Sequence, residues 1–189
     1  MVFSDGSVLR LYRQTVEDFG LYQGMELTSE AMKALREAAG QMSAKMRAVR
    51  ILSASSVSRK DLEQRLVRKG ERAEDARDAV HWMEEMHLVD DRETARQIVQ
   101  RNARQGYGLA RAKQALYEKR IPKAFWEEAL ADYPDQTEKI TEFLRSRLGA
   151  QWDRRDLQRA MDALVRRGFA WRDVRTALSR LGAELPEDE

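Results

Sequence analysis

A mainly α-helical chain, built from three tandem three-helix repeats, is predicted by three features of the sequence. Only three prolines and ten glycines interrupt 189 residues, and the abundant Leu, Ala, Arg, Glu, Gln and Met lose little rotamer freedom in a helix. Apolar residues recur at i, i+3, i+4 and i+7, the stripe of a half-buried helix. That stripe returns three times, at intervals of roughly 50 residues, which marks a repeat architecture.

The first forty residues stand apart. Val8 to Arg13 is short and rich in β-favouring residues, and Gly20 and Gly24 punctuate the stretch after it. Thr28 or Ser29 can cap a helix that runs to Gly40. Residues 1–40 are therefore expected to form a small β-containing lead-in and a connecting helix.

Beyond them, three anchors set the repeat register: Gly70, Arg120 and Gly168, each preceded by a basic residue. Four residues before the anchors stand Leu66, Leu116 and Leu164; eight before stand Leu62, Ala112 and Ala160. These offsets share one helical face. After the anchors, Ala76, Ala79, Val80 and Met83 correspond to Trp126, Ala129, Leu130 and Tyr133, and to Val174, Ala177, Leu178 and Leu181. A further helix precedes each pair, over Lys45 to Ala54, Asp91 to Arg104 and Gln136 to Arg147.

The resulting repeats cover residues 41–88, 89–133 and 134–182, followed by an acidic tail over 183–189. One such unit is too small to bury a large core, so stacking into an elongated, curved array is expected. Trp82, Trp126, Phe143 and Phe169 fall on or near the apolar stripes and read as core.

Composition narrows the function classes. There is no cysteine, which removes disulfides, thiol nucleophiles and zinc knuckles and suits the cytoplasm. The N-terminus lacks the pattern of a signal peptide, and no run is long enough to cross a bilayer, so a soluble chain is expected. A formal net charge of +2 conceals segregation. Residues 45–72 carry nine Lys/Arg against three acids, residues 71–91 eight acids against two arginines, and residues 145–180 ten arginines against four acids. Alternating basic and acidic zones bear on partners more than the total does.

Few groups suggest catalysis. His81 and His87 lie about 240° apart on a helix and cannot share a metal. Asp90-Asp91 precedes a helix, where one carboxylate serves as N-cap. No Ser/His/Asp set or nucleotide loop accompanies them, so neither enzyme activity nor a metal or other cofactor is expected. Gly106-Tyr107-Gly108 resembles a phosphate loop only superficially, since Arg111 stands where a third glycine belongs and a helix precedes it. Gly106 is expected to stop one helix in a left-handed conformation and Gly108 to complete the turn into the next, near Leu109. The other repeats would make this turn with Ser55 to Ser58 and with Gly149 to Asp153.

The basic clusters carry the strongest functional signal. Arg59, Lys60, Arg68 and Lys69 in the first repeat, Arg111, Lys113 and Lys119 in the second, and Arg154, Arg155, Arg166 and Arg167 in the third belong to the middle helices or their ends. Arg104, Tyr107 and Arg120 join them as candidate contacts flanking the second middle helix. Such faces suit a polyanion or an acidic protein groove.

These residues also carry a family likeness. The stretch LVDDRETARQIVQRNARQGYGLARAKQALYEKRIP, Leu88 to Pro122, resembles the central pattern of the RecX regulators of the bacterial recombinase RecA: leucine, paired acids, an amphipathic helix, Gly-Tyr-Gly and a basic helix. SRKDLEQRLVRKG (Ser58 to Gly70), LVRRGFAWRDVRTAL (Leu164 to Leu178) and FGLYQGMEL (Phe19 to Leu27) support it, so the likeness spans nearly the whole chain. Two positions depart: the usual Lys-Gly-Ile is Lys119-Arg120-Ile121, and Thr94 occupies a place often held by an aromatic residue.

The resemblance implies a non-enzymatic regulator that binds the RecA filament on single-stranded DNA. It would lie in the filament groove and restrain filament growth, ATP hydrolysis, strand exchange and coprotease activity. Weak direct binding to single- or double-stranded DNA, a monomeric state, no membrane association and a role in DNA repair, homologous recombination and the SOS response are further expectations. The alternative is a general DNA-binding protein that uses basic helices of helix-turn-helix-like modules.

Overall fold

The computed structural model describes residues 1–148 and 152–181. Ten α-helices and one 3₁₀ turn, Lys123–Phe125, account for its regular structure among these residues. The chain divides into two compact units, residues 1–90 and 91–189. The stretches Gly149 to Gln151 and Gly182 to Glu189, which include most of the third inter-helix turn and the acidic tail, lie outside the described residues.

The lead-in contains less β structure than its composition suggests. Among the described residues no strand forms; Val2 and Val8 make a single antiparallel bridge, closed by Phe3 N donating to Ser7 O at 2.9 Å. Two short segments without a third partner cannot sustain a ladder. The chain then enters α1, Arg13–Asp18.

In the first unit, α2 (Ser29–Ala54), α3 (Arg59–Arg68) and α4 (Ala73–Glu85) enclose one core. Thr28 caps α2, its Oγ1 accepting from Ala31 N at 3.1 Å, and Ser58 caps α3 by accepting from Asp61 N at 3.1 Å. Leu62 and Leu66 from α3 meet Ala76, Ala79, Val80 and Met83 from α4 and Ala44, Ala48 and Ile51 from α2.

Gly40 corrects the expected boundary at residue 40. It does not end a helix: α2 runs unbroken from Ser29 to Ala54. Its role is to let α4 approach, because a Cβ there would stand 2.8 Å from Asp75 Oδ2. A notch and a stop both favour glycine, and only the packing distinguishes them.

The Asp75 carboxylate held against this notch is 5 % exposed. Burial, ahead of every other influence, raises its pKa from the ordinary value; Arg72 opposes the shift, and Glu74, Asp78 and Glu71 add to it. A carboxyl whose folded-state pKa lies above its unfolded one weakens the fold when ionised, and the penalty is relieved as pH falls through the folded-state value. Asp75→Asn is therefore expected to melt at a higher temperature than the parent at pH 7, with the gap closing as the pH is lowered toward about 4. Thermal melts of both proteins across that range provide the check.

The second unit holds two cores. In one, α5 (Asp91–Arg104) and α6 (Leu109–Glu118) bury Ala95, Val99, Leu116 and Ile121, with Phe125, Trp126, Ala129, Leu130 and Tyr133 from the 3₁₀ turn, α7 (Trp126–Leu130) and the residues after it packed against them. In the other, α8 (Thr137–Leu148), α9 (Arg154–Arg166) and α10 (Trp171–Arg180) bury Leu144, Leu157, Leu164, Val174 and Leu178 among others. α5 begins at Asp91, so Asp90 stands at its N-cap position.

The three anchors adopt one backbone motif. Gly70, Arg120 and Gly168 have φ of 93°, 55° and 84°. Each donates its N–H to the carbonyl three residues back, while the next residue donates to the carbonyl five residues back, as in Glu71→Leu66, Ile121→Leu116 and Phe169→Leu164. This is the Schellman ending, in which the residue after the cap is left-handed. Arg120 adopts it without glycine's freedom, at a cost of roughly 1 kcal/mol.

Candidate functional site

Cations on the middle helices stand partly where helix stability disfavours them. Arg59 and Lys60 are the first two residues of α3, and Arg154 and Arg155 the first two of α9. Positive charge at that end opposes the helix dipole, by roughly 0.3–1 kcal/mol per charge. In α9 the Asp153 and Asp156 capping box offsets this, and in the first unit Arg59 Nη1 contacts Glu84 Oε1 at 2.5 Å. Lys60, Arg68, Lys69, Arg154, Arg155 and Arg166 are exposed.

At the second middle helix, Arg111 and Lys113 are exposed and Lys119 is half-buried. The Arg111 guanidinium lies over the Tyr107 ring, 5.9 Å from its centroid. Tyr107 is itself half-buried, and its carbonyl accepts from Tyr133 Oη at 2.7 Å. Burial raises the Tyr133 pKa, so the phenol stays a donor at neutral pH.

The glycines of the Gly-Tyr-Gly turn do different things. Gly106 ends α5 at φ 69°, in a Schellman turn closed by Tyr107 N donating to Asn102 O at 3.1 Å. Gly108 has an ordinary φ of −79° and is needed for space. A Cβ on it would lie 2.0 Å from Gly168 O, and one on Gly168 would lie 2.4 Å from Arg111 N. Through this contact Gly108 N donates to Arg167 O at 3.0 Å and Ala110 N to Gly168 O at 3.1 Å. The free amides at the start of α6 thus satisfy the free carbonyls at the end of α9.

This junction brings two candidate cations together. Arg104, Gly106 and Arg167 line an open groove of about 430 Å³ with Lys139, Phe143 and Phe169, and Glu142 is its one acidic member. Lys139 Nζ donates to Ala103 O at 2.8 Å, closing the end of α5. Phe143 is only partly buried, with guanidinium groups over its ring: Arg167 at 4.9 Å and Arg147 at 5.6 Å from the centroid. Stacking of this kind fixes the plane of a guanidinium while leaving its N–H edge available.

Lys139, Phe143 and Arg147 are absent from the sequence-derived candidates, and Phe143 reads there as core. Their i, i+4, i+8 spacing on α8 is the signal that they share a face. With Arg104 and Arg167 against the single carboxylate of Glu142, the groove carries a net positive lining that favours anionic groups. No group of carboxylates and histidines among the described residues is arranged to hold a metal ion, and no described helix is long and apolar enough to cross a membrane.

Comparison with known proteins agrees with this architecture. Residues 90–130 match a family model described as RecX, second three-helix domain. The chain is similar to the regulatory protein RecX of Streptococcus gordonii, 26 % identical over 98 % of this chain and 72 % of that one. It is also similar to that of Xanthomonas axonopodis pv. citri, 31 % identical over 69 % of this chain and 83 % of that one. Two crystal structures share the fold. One, of a regulatory protein RecX, matches with a TM-score of 0.70 at 21 % identity, over 89 % of this chain and 86 % of that one. The other, RecX from Lactobacillus salivarius, matches with a TM-score of 0.67 at 22 % identity, over 77 % and 98 %. With helical units, a Gly-Tyr-Gly turn that docks one helix pair on the next, and relatives at this level of identity, the chain belongs to the RecX family of regulatory proteins.

Proposed function

We propose that this protein regulates homologous recombination in the cytoplasm by binding the RecA filament on single-stranded DNA. Lying along the filament groove, it restrains filament growth, ATP hydrolysis, strand exchange and coprotease activity without catalysing a reaction. Family membership supports a RecA partner. The observation that carries the choice of surface is the placement of cations at both ends of the middle helices, including the dipole-opposed starts of α3 and α9.

On this reading the working units are three-helix modules over residues 41–88, 89–133 and 134–182, in that order along the chain. Each offers a modest contact through its middle helix, and contacts in series give avidity. Arg59, Lys60, Arg68 and Lys69 serve the first module. Arg104, Tyr107, Arg111, Lys113, Lys119 and Arg120 serve the second, and Arg154, Arg155, Arg166 and Arg167 the third.

The test is RecA's DNA-dependent ATP hydrolysis. Wild-type protein is expected to inhibit at amounts near or below those of RecA, and the variant Arg68→Glu, Lys69→Glu, Arg166→Glu, Arg167→Glu to inhibit at least about tenfold more weakly with its helical content intact. Unchanged inhibition by that variant moves the interface elsewhere. A second reading, direct competition for DNA, draws on the same exposed cations; inhibition that vanishes whenever DNA is in excess would favour it.

A further inference from the structure

The middle helices share a second feature, and it is apolar. One residue after each buried leucine, three before each anchor, stand Val67, Tyr117 and Val165, exposed to 42, 68 and 51 % respectively. Leu66, Leu116 and Leu164 beside them are 0 % exposed, so a step of about 100° along the helix turns each of these side chains outward. Single exposed apolar residues are ordinary. Among the described residues, however, no other exposed large apolar position recurs at all three anchors.

Folding does not account for the choice. A β-branched valine on an exposed helical face is a poorer helix former than alanine. Basic residues follow within two positions of each: Arg68-Lys69 after Val67, Lys119 beyond Glu118 after Tyr117, and Arg166-Arg167 after Val165. An apolar centre beside cations is the layout of a small protein interface, with a desolvated core and a charged rim. Two of the three positions do not suit nucleic acid: a phosphate backbone gains nothing from a branched aliphatic side chain, and valine cannot stack on a base, so Tyr117 is grouped with protein contacts because it holds the position equivalent to the two valines.

We infer that Val67, Tyr117 and Val165 are the apolar contacts through which the middle helices seat on protein, each entering an apolar hollow bordered by carboxylates. Three equivalent contacts fit a partner that presents the same hollow more than once, as an assembly of identical subunits does. The inference rests on the proposal that the middle helices face the RecA filament. It assigns the apolar residues to the protein of that filament and leaves its DNA to the cations.

The experiment compares the variant Val67→Ala, Tyr117→Ala, Val165→Ala with the quadruple charge variant, measuring affinity for RecA assembled on single-stranded DNA and for the same oligonucleotide bare. Alanine favours helix at these exposed sites, so the triple variant is expected to melt at or above the wild-type temperature. Its affinity for the filament should fall about 30-fold or more, while its affinity for bare DNA changes less than about twofold. Two outcomes overturn the inference: filament affinity retained by the triple variant while the charge variant loses it, or bare-DNA affinity falling in parallel. If both variants bind the filament as wild type does, the middle-helix interface fails along with it.

Discussion

Gly108→Ala is expected to destabilise the second unit by about 3 kcal/mol or more, although it adds one methyl group at an ordinary φ. The added carbon would lie 2.0 Å from Gly168 O, 2.2 Å from Gly168 C and 2.4 Å from Phe169 N. All three are backbone atoms in the closed ending of α9, so no rotamer change relieves the clash. Overpacking of this kind costs about 1–3 kcal/mol. Parting the chains also breaks the Gly108–Arg167 and Ala110–Gly168 hydrogen bonds, at about 1 kcal/mol each.

Gly106→Ala is the control. Its Cβ would meet only Lys139 Cδ, at 3.6 Å, an ordinary contact, so only the left-handed backbone is strained, by roughly 1 kcal/mol. Urea denaturation should rank Gly108→Ala well below Gly106→Ala, and hydrogen exchange should show the Ala110 amide losing protection in the former alone. Equal effects would mean that the glycines serve only as turn residues.

Leu116→Ala is expected to cost about 2–5 kcal/mol, the range for emptying a fully buried aliphatic site. Leu116 is 0 % exposed and packs in a core whose other buried members are Ala95, Val99 and Ile121. Phe125, Trp126, Leu130 and Tyr133 pack around these residues, so the truncation empties a well-filled site. Leu116 also supplies the carbonyl that receives Ile121 N, and the contact between these side chains accompanies the Schellman ending of α6. Loss of the leucine therefore loosens the left-handed turn at Arg120 as well as the core. Thermal melting detects the effect; a melting temperature within about 1 °C of wild type would show that the site collapses without penalty.

Much of the fold was legible because its signals are local. The anchors, their leucines and the helix Asp91 to Arg104 follow from periodicity and from residues that cap or stop helices, and these act within a few positions along the chain. The same local reasoning misplaced Gly40, because a glycine that ends a helix and one that admits a neighbour look alike until the neighbour is present. It also overestimated the β character of the lead-in, where β-favouring residues lacked a third strand to pair with.

The sequence by itself determined the helical class and the places where α3, α6 and α9 stop, since periodicity and helix-ending chemistry are properties of short segments. It also indicated a basic surface, because charge can be counted. Only the tertiary structure decided that Gly108 meets Gly168 sixty residues away, that Arg104 and Arg167 share a groove, and that Phe143, packed at the edge of the core, also lies beneath two guanidinium groups. Those facts depend on which helix ends meet, and that is set by packing between segments distant in the chain.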